Sequence, residues 1–130
     1  MTEESNLLAS RMYSQQDHLP IRRNLQHDKN VYLRQSFPQY DPSSEQDFVY
    51  FHFENEERRL SVKAEYAFKL TGYTLEDEQE PGVWSFVLKP GEQLVKRMKA
   101  PHKKNDAKAL ERDKVPNDFK KISAKFEFYR

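Results

Sequence analysis

The residues of this sequence that could do chemistry fall into a basic run, an acidic loop and a few histidines. The basic run lies in "FVLKPGEQLVKRMKAPHKK", residues 86–104, where Glu92 is the single acidic residue. Its cations are Lys89, Lys96, Arg97, Lys99, Lys103 and Lys104. Single-stranded nucleic acid binds where such charge has exposed aromatics beside it, and residues 93–104 contain none. We favour the solvated side of a strand, then an acidic protein partner, and last a contact to nucleic-acid phosphates.

The acidic loop "EDEQEPG" carries a dense group of carboxylates at Glu76, Asp77, Glu78 and Glu80. Loops at the end of a sandwich can bind Ca²⁺ through such groups. Calcium sites gather oxygens from several directions and usually place Asp or Asn at alternating positions. A solvated loop is therefore the favoured interpretation, and a Ca²⁺ site is the alternative.

Catalytic and metal-binding motifs are absent from the sequence. It contains no Walker loop, GxGxxG, HExxH or GxSxG pattern. The absence of cysteine excludes disulfides, thiolate ligands and a cysteine nucleophile. The four histidines lack ligand spacing, and His52, within a strand, is expected to pack or to face water. We predict a protein that is not an enzyme and has no metal or other cofactor.

The length and composition of the chain indicate that these residues belong to one small domain. The chain has 130 residues, and 22 basic against 21 acidic side chains leave a net charge of +1. That balance argues against a surface devoted to nucleic acid or to a membrane. No apolar run is long enough to cross a bilayer, and the start, "MTEESNLLAS", is acidic where a signal or transit peptide is basic. We expect a soluble cytoplasmic protein.

Residues 1–46 are predicted to form an extended polar arm. Their apolar residues show neither a helical nor a strand period, and Pro20, Pro38 and Pro42 interrupt regular structure. A short helix capped by Thr2 is predicted at the start. The arm also carries aromatic residues that could contact a neighbour, at Tyr32, Phe37 and Tyr40.

Residues 47–130 are predicted to form a β-sandwich. In "RRLSVKAEYAFKL" six apolar residues fall on every second position from Leu60 to Leu70, which indicates a strand with one buried face. "DFVYFHF" is a second strand, and "VWSFVLK", apolar on both faces, is predicted to be central. Pro90 and Gly91 suit a type II turn.

The C-terminal part completes the predicted fold. "NDAKALERDK" favours a short helix, and "ISAKFEFY" alternates through the four apolar residues Ile122, Ala124, Phe126 and Phe128. The predicted fold class is mainly β. It is a small antiparallel β-sandwich with a long extended N-terminal arm and a short helix near the C-terminal part.

Three pieces of residues 47–99 carry a family resemblance. They are the "F-x-N" of residues 53–55, the alternating strand of residues 60–72 that ends at a glycine, and "L-x-P-G-E" at residues 88–92. This part resembles the accessory β-sandwich of calpain-related proteins. The protease module of that family is absent. The resemblance therefore implies a non-catalytic sandwich used for interaction, as in the small cytoskeleton-associated members.

Together these observations predict a structural accessory subunit of a large multiprotein assembly, cytoskeletal or ciliary (axonemal). The sandwich would dock by an edge strand or an exposed face, and the arm would thread along neighbours. The predicted partner contacts are Tyr32, Phe37, Tyr40, Trp84, Lys96, Arg97, Lys99, Lys103 and Lys104, with Trp84 alternatively a core residue. The partners would be proteins with an acidic surface, not nucleic acid or membrane. The alternatives are a free regulatory C2-like module that binds Ca²⁺ or an acidic partner, and an accessory subunit of a mitochondrial or ribosomal complex.

Overall fold

The computed structural model of the protein describes residues 2–14, 20–101 and 118–130. In these residues one helix is followed along the chain by nine strands. The elements are α1 (Glu3–Ser14), β1 (Arg23–Asn24), β2 (Val31–Gln35), β3 (Gln39–Asp41), β4 (Gln46–Asn55), β5 (Ser61–Thr71), β6 (Thr74–Leu75), β7 (Val83–Leu88), β8 (Gln93–Lys99) and β9 (Asp118–Tyr129).

The strands form two antiparallel sheets that pack face to face. Sheet A has the order β1-β2-β4-β8-β6, with β3 also paired to β4, and sheet B has the order β7-β5-β9. Between them lies a core rich in aromatic side chains, in which Phe51 contacts both Phe68 and Trp84 edge to face. The predicted mainly β, antiparallel sandwich is confirmed.

Strand β5 follows its sequence pattern closely. Val62, Ala64 and Tyr66 are buried on the inner face, whereas Lys63 and Lys69 are exposed. The strand pairs with β7 on one side and with β9 on the other. Both edges of β5 are paired, one of its faces is buried and the other faces solvent. Buried apolar and exposed polar residues therefore alternate regularly along it.

Strand β7 was predicted to be central, and this prediction is wrong because β7 lies at the edge of sheet B. Its inner face buries Trp84 and Leu88, and Val87 on the other face is exposed. The turn that follows forms as predicted, since the Glu92 amide donates to the Lys89 carbonyl at 3.0 Å. This turn carries the chain from sheet B to sheet A and does not close a hairpin.

Asn55, at the end of β4, links the first of the three stretches that carry the family resemblance to the other two. Its buried side-chain amide donates to the carbonyls of Leu60, Leu88 and Lys89 at 3.0–3.1 Å, and its own backbone amide donates to the Glu92 carbonyl at 2.9 Å. The two N–H groups of this side chain are thus shared among three carbonyls where the chain crosses between the sheets.

The described part of residues 1–46 packs against the sandwich instead of forming a separate arm. Helix α1 is the predicted N-terminal helix, and the Ser5 amide donates to Thr2 Oγ1 at 3.1 Å, as expected for the predicted cap. The helix covers the outer face of β4 and β8, with Leu8 and Met12 against Tyr50. Strands β2 and β3 pair with β4, so the sheet begins before the predicted boundary. The pattern was missed because these strands have only five and three residues.

Strand β9 departs from the predicted alternation at one residue. The register with β5 shifts between Ala67 and Phe68, so that Lys121, not Ile122, lies opposite Phe68. Ile122 is consequently 66% exposed. The predicted inward position of Ile122 is wrong because a β-bulge turns one extra residue out of the ladder.

The predicted C-terminal helix, in residues 105–114, lies outside the described residues. Within the described ranges no helix has the length and apolar character needed to cross a membrane.

Two glycines with positive φ provide a matched test of the backbone. Gly82 has φ of 77° and Gly91 has φ of 76°, but a Cβ at Gly82 would lie 2.9 Å from the Phe68 carbonyl oxygen whereas one at Gly91 meets nothing within 4 Å. We expect Gly91→Ala to lower the free energy of unfolding by about 1 kcal/mol and Gly82→Ala by about 2–3 kcal/mol. Chemical denaturation of both variants measures the difference, and equal losses would contradict the close approach.

Candidate functional site

The basic run does not form one face, because adjacent residues of β8 point to opposite sides of sheet A. Lys96 pairs with Phe51 on the side that faces sheet B, and Arg97 pairs with Tyr50 on the side that faces α1. Lys99 is exposed. The expected single basic surface is therefore wrong, because Lys96 lies on the side of sheet A opposite to Arg97 and Lys99. Lys103 and Lys104 lie outside the described residues.

Lys96 and Trp84 are joined on the inner side. The Lys96 ammonium lies 5.8 Å from the centre of the Trp84 ring. Burial lowers the pKa of Lys96, and the carboxylates of Asp77 and Glu4 oppose that change. Trp84 is fully buried, and its indole nitrogen donates to the Glu76 carbonyl at 2.9 Å. Trp84 is therefore a core residue and offers no surface to a partner.

Arg97 is held in an ion-pair cluster on the side of sheet A that α1 covers. Its Nη1 atom lies 3.2 Å from Asp41 Oδ2, and its Nε atom donates to the Glu76 carboxylate. Arg11 of α1 reaches the same Asp41 oxygen at 2.9 Å. The Arg97 guanidinium also stacks on Phe48, 3.7 Å from the ring centre. This cluster ties α1, β3, β8 and the segment after β6 together.

The charges of this cluster are stabilised internally. Burial alone would raise the pKa of Asp41, but hydrogen bonds from Ser43 and Arg97 outweigh it and lower the pKa to about 2. Burial alone would lower the pKa of Arg97, but hydrogen bonds to Glu76 and Tyr50 outweigh it and raise the pKa. Both groups stay ionised at neutral pH, and Arg97 is already occupied by partners within the chain.

A second polar cluster, centred on His52 and Glu54, lies at the other end of the face of sheet A that α1 covers. His52 is buried and bonded to the Tyr13 hydroxyl of α1 and, at 2.8 Å, to the Gln93 side chain. Glu54 lies between Arg22 at 3.4 Å and Arg34 at 3.7 Å. Of the two positions expected for His52, packed or facing water, the structure shows the packed one, and both ring nitrogens have partners within the chain.

The aromatic residues predicted to contact a partner differ in accessibility. Tyr32 is half-buried, with the Arg22 guanidinium 3.6 Å from its ring centre. Phe37 is 87% exposed and Tyr40 is 52% exposed. Of the predicted contacts that the structure describes, Phe37, Tyr40 and Lys99 are exposed.

The acidic loop is used partly for internal bonds. Glu76 pairs with Arg97, and a Glu78 carboxylate oxygen accepts a hydrogen bond from the Gly82 amide at 2.9 Å. In the described part of the chain, no group of three or more acidic or histidine side chains is arranged to hold a metal ion.

Among the described strands, β9 is the longest that lies at the edge of a sheet, a position that sequence reasoning did not identify. β9 has 12 residues and pairs with β5 along one side. None of the other described strands pairs with its second side. The alternation of the last residues signalled a strand, but its position at an edge depends on strand order, which a single sequence does not reveal.

Comparison with known proteins finds no protein-family model, no curated protein and no solved structure that matches the chain. The similarity of residues 47–99 to the calpain-related accessory sandwich therefore stays a prediction.

The low pKa of Asp41 predicts a specific pH dependence. A carboxylate with a pKa lower in the folded than in the unfolded protein stabilises above its unfolded pKa, and the contribution is lost as pH falls from about 4 to about 2. We expect Asp41→Asn to cost about 1–2 kcal/mol at neutral pH, since nearby solvent screens the cluster. Its free energy of unfolding should then change less than that of the wild type between these pH values.

Urea denaturation across this pH range checks the prediction. Asp118→Asn is the matched control, because Asp118 lies at an exposed strand end and has no ion pair with any described residue. Parallel pH profiles for Asp41→Asn and the wild type would contradict the assignment.

Proposed function

We propose that the chain is a non-catalytic accessory subunit that binds a protein partner along β9, the partner adding a strand to sheet B. The observation that carries the proposal is the 12-residue edge of β9, which no described strand covers. Unpaired backbone amides and carbonyls at a sheet edge are a ready template for another strand.

The other sheet ends offer much less backbone to a partner. Sheet A ends in β1 and β6, which have two residues each, and the second edge of sheet B is β7, with six. Short edge strands are one way in which proteins avoid unwanted pairing. β9 is thus the edge at which a partner strand could form the most hydrogen bonds.

The charge of β9 favours an acidic partner. Residues 118–130 carry four basic and two acidic side chains. Lys120 and Lys125 are exposed and pair with Lys69 and Glu65 on the outer face of sheet B. Opposite charges on neighbouring strands stabilise pairing, and like charges oppose it. An acidic strand is therefore the partner that fits this edge best.

The assembly that we propose is cytoplasmic and cytoskeletal or ciliary, with a mitochondrial or ribosomal complex as the alternative. This part of the proposal rests on the resemblance of residues 47–99 to the calpain-related accessory sandwich. The exposed Phe37 and Tyr40 supply further apolar contact surface. Because the described part of residues 1–46 packs on the sandwich, docking is assigned to β9 and not to a threaded arm.

The test is recovery of the tagged full-length chain from its native cells, with identification of the proteins that accompany it. We expect Lys120→Glu with Lys125→Glu to reduce the recovered partner about fivefold or more, because two attractive contacts become repulsive. The control is Lys63→Glu, an exposed residue of the same outer face on the central strand β5, which should retain the partner.

Hydrogen exchange on the recovered complex distinguishes edge docking from face docking. The β9 amides that do not bond to β5 should become protected only in the complex. Fast exchange of those amides in a complex that is otherwise intact would refute the proposal, as would equal loss of partner with the Lys63→Glu control.

A further inference from the structure

A cleft of about 280 Å³ opens between the sheets, where β1 and β2 of sheet A lie opposite β9 of sheet B. Its apolar lining includes Leu33, Phe51, Phe68 and Phe119. Small-molecule sites are typically concave and largely apolar, with a few polar groups that fix orientation. This cleft is concave, and its lining combines apolar side chains with the polar side chains of Arg23, Asn24, Gln35 and Lys121.

Tyr66 lines the cleft, and its hydroxyl lacks a partner among the described residues. Tyr66 is only 2% exposed and lines the cleft, and no described residue forms a hydrogen bond with its hydroxyl. A buried hydroxyl that lacks a partner is costly, and such groups in native proteins are uncommon. A ligand that accepts a hydrogen bond from Tyr66 would remove this cost.

Two cations also line the cleft, and one of them is placed there by the β-bulge. Regular alternation would put Ile122 on the inner face of β9, but the register shift puts Lys121 opposite Phe68 instead. Bulges commonly re-aim side chains next to functional sites. Arg23 of β1 is the second cation, and none of the described residues that line the cleft is acidic.

The Tyr66 hydroxyl can serve as a donor at neutral pH. Burial raises its pKa above the ordinary value, and the positive charge of Arg23 opposes that rise. Tyr66 therefore stays protonated, and Arg23 places a positive charge in the same cleft.

We propose that this cleft binds a small amphipathic carboxylate. Its anionic group pairs with Arg23 and Lys121 and accepts a hydrogen bond from the Tyr66 hydroxyl. Its apolar part packs against the aromatic side chains between the sheets. This binding site is independent of strand addition at the β9 edge.

The test uses phenylacetate as the probe and phenethyl alcohol, which has the same ring and chain but no charge, as its control. Amide proton–nitrogen correlation spectra of the full chain are recorded with either compound up to about 10 mM, a range that detects weak binding. Phenylacetate should shift the amides of β1, β2 and β9 around the cleft. The alcohol should bind about tenfold more weakly, because it lacks the charge that Arg23 and Lys121 recognise.

Three variants assign the contacts. Tyr66→Phe keeps the ring and should weaken phenylacetate about fivefold. Arg23→Gln and Lys121→Gln should each weaken it about fivefold or more. Lys125→Gln is the control, because Lys125 is exposed on the same strand but pairs with Glu65 on the outer face, and it should bind phenylacetate as the wild type does.

A melting curve for each variant shows whether a loss of phenylacetate binding results from a loss of folding. Tyr66→Phe removes a hydroxyl that has no partner among the described residues, so its melting temperature should equal or exceed that of the wild type. The proposal is overturned by an absence of cleft shifts with phenylacetate, by equal binding of the alcohol, or by unchanged binding in a folded Tyr66→Phe variant.

Discussion

The burial of β4 on both of its faces is the constraint on which the other elements depend. Residues 48–55 are buried without interruption, so one strand needs a cover on each side and a partner on each edge. Sheet B covers the inner face, where Phe51 and Phe53 lie, and α1 covers the outer face, where Phe48 and Tyr50 lie. β2 and β3 pair with one edge and β8 with the other. Apolar burial of this extent drives folding.

The cover on the outer face brings charged groups into partly buried positions, and the structure pairs them. Arg11 of α1 shares Asp41 with Arg97, and Tyr13 bonds to His52. A buried ion is tolerated when it is paired and hydrogen-bonded. Arg97, which the sequence analysis placed among the candidate partner contacts, therefore helps to orient the helix on the sheet through Asp41. Within the basic run, Arg97 is therefore an internal anchor and not a docking residue.

What the sequence could predict follows from how local each feature is. Strand β5 could be predicted because its alternation involves only its own residues, and the Thr2 cap could be predicted because it acts three residues away. The partners of Arg97 could not be predicted, because Asp41 and Glu76 lie 56 and 21 residues away along the chain. The cleft was missed for a related reason. Ile122 fits the apolar pattern, and only the pairing of β9 with β5 shows that Lys121 replaces it.

The bulge in β9 also limits the geometry of whatever pairs with that edge. It separates a run of seven residues, 123–129, from a shorter run, 118–121, with Ile122 displaced between them. A regular strand could follow the longer run for about 23 Å at the usual rise per residue. Sliding such a strand by two residues would carry its ladder into the irregular step. The displaced Ile122 thus limits the register of a partner strand. It favours one alignment on an edge that would otherwise accept several.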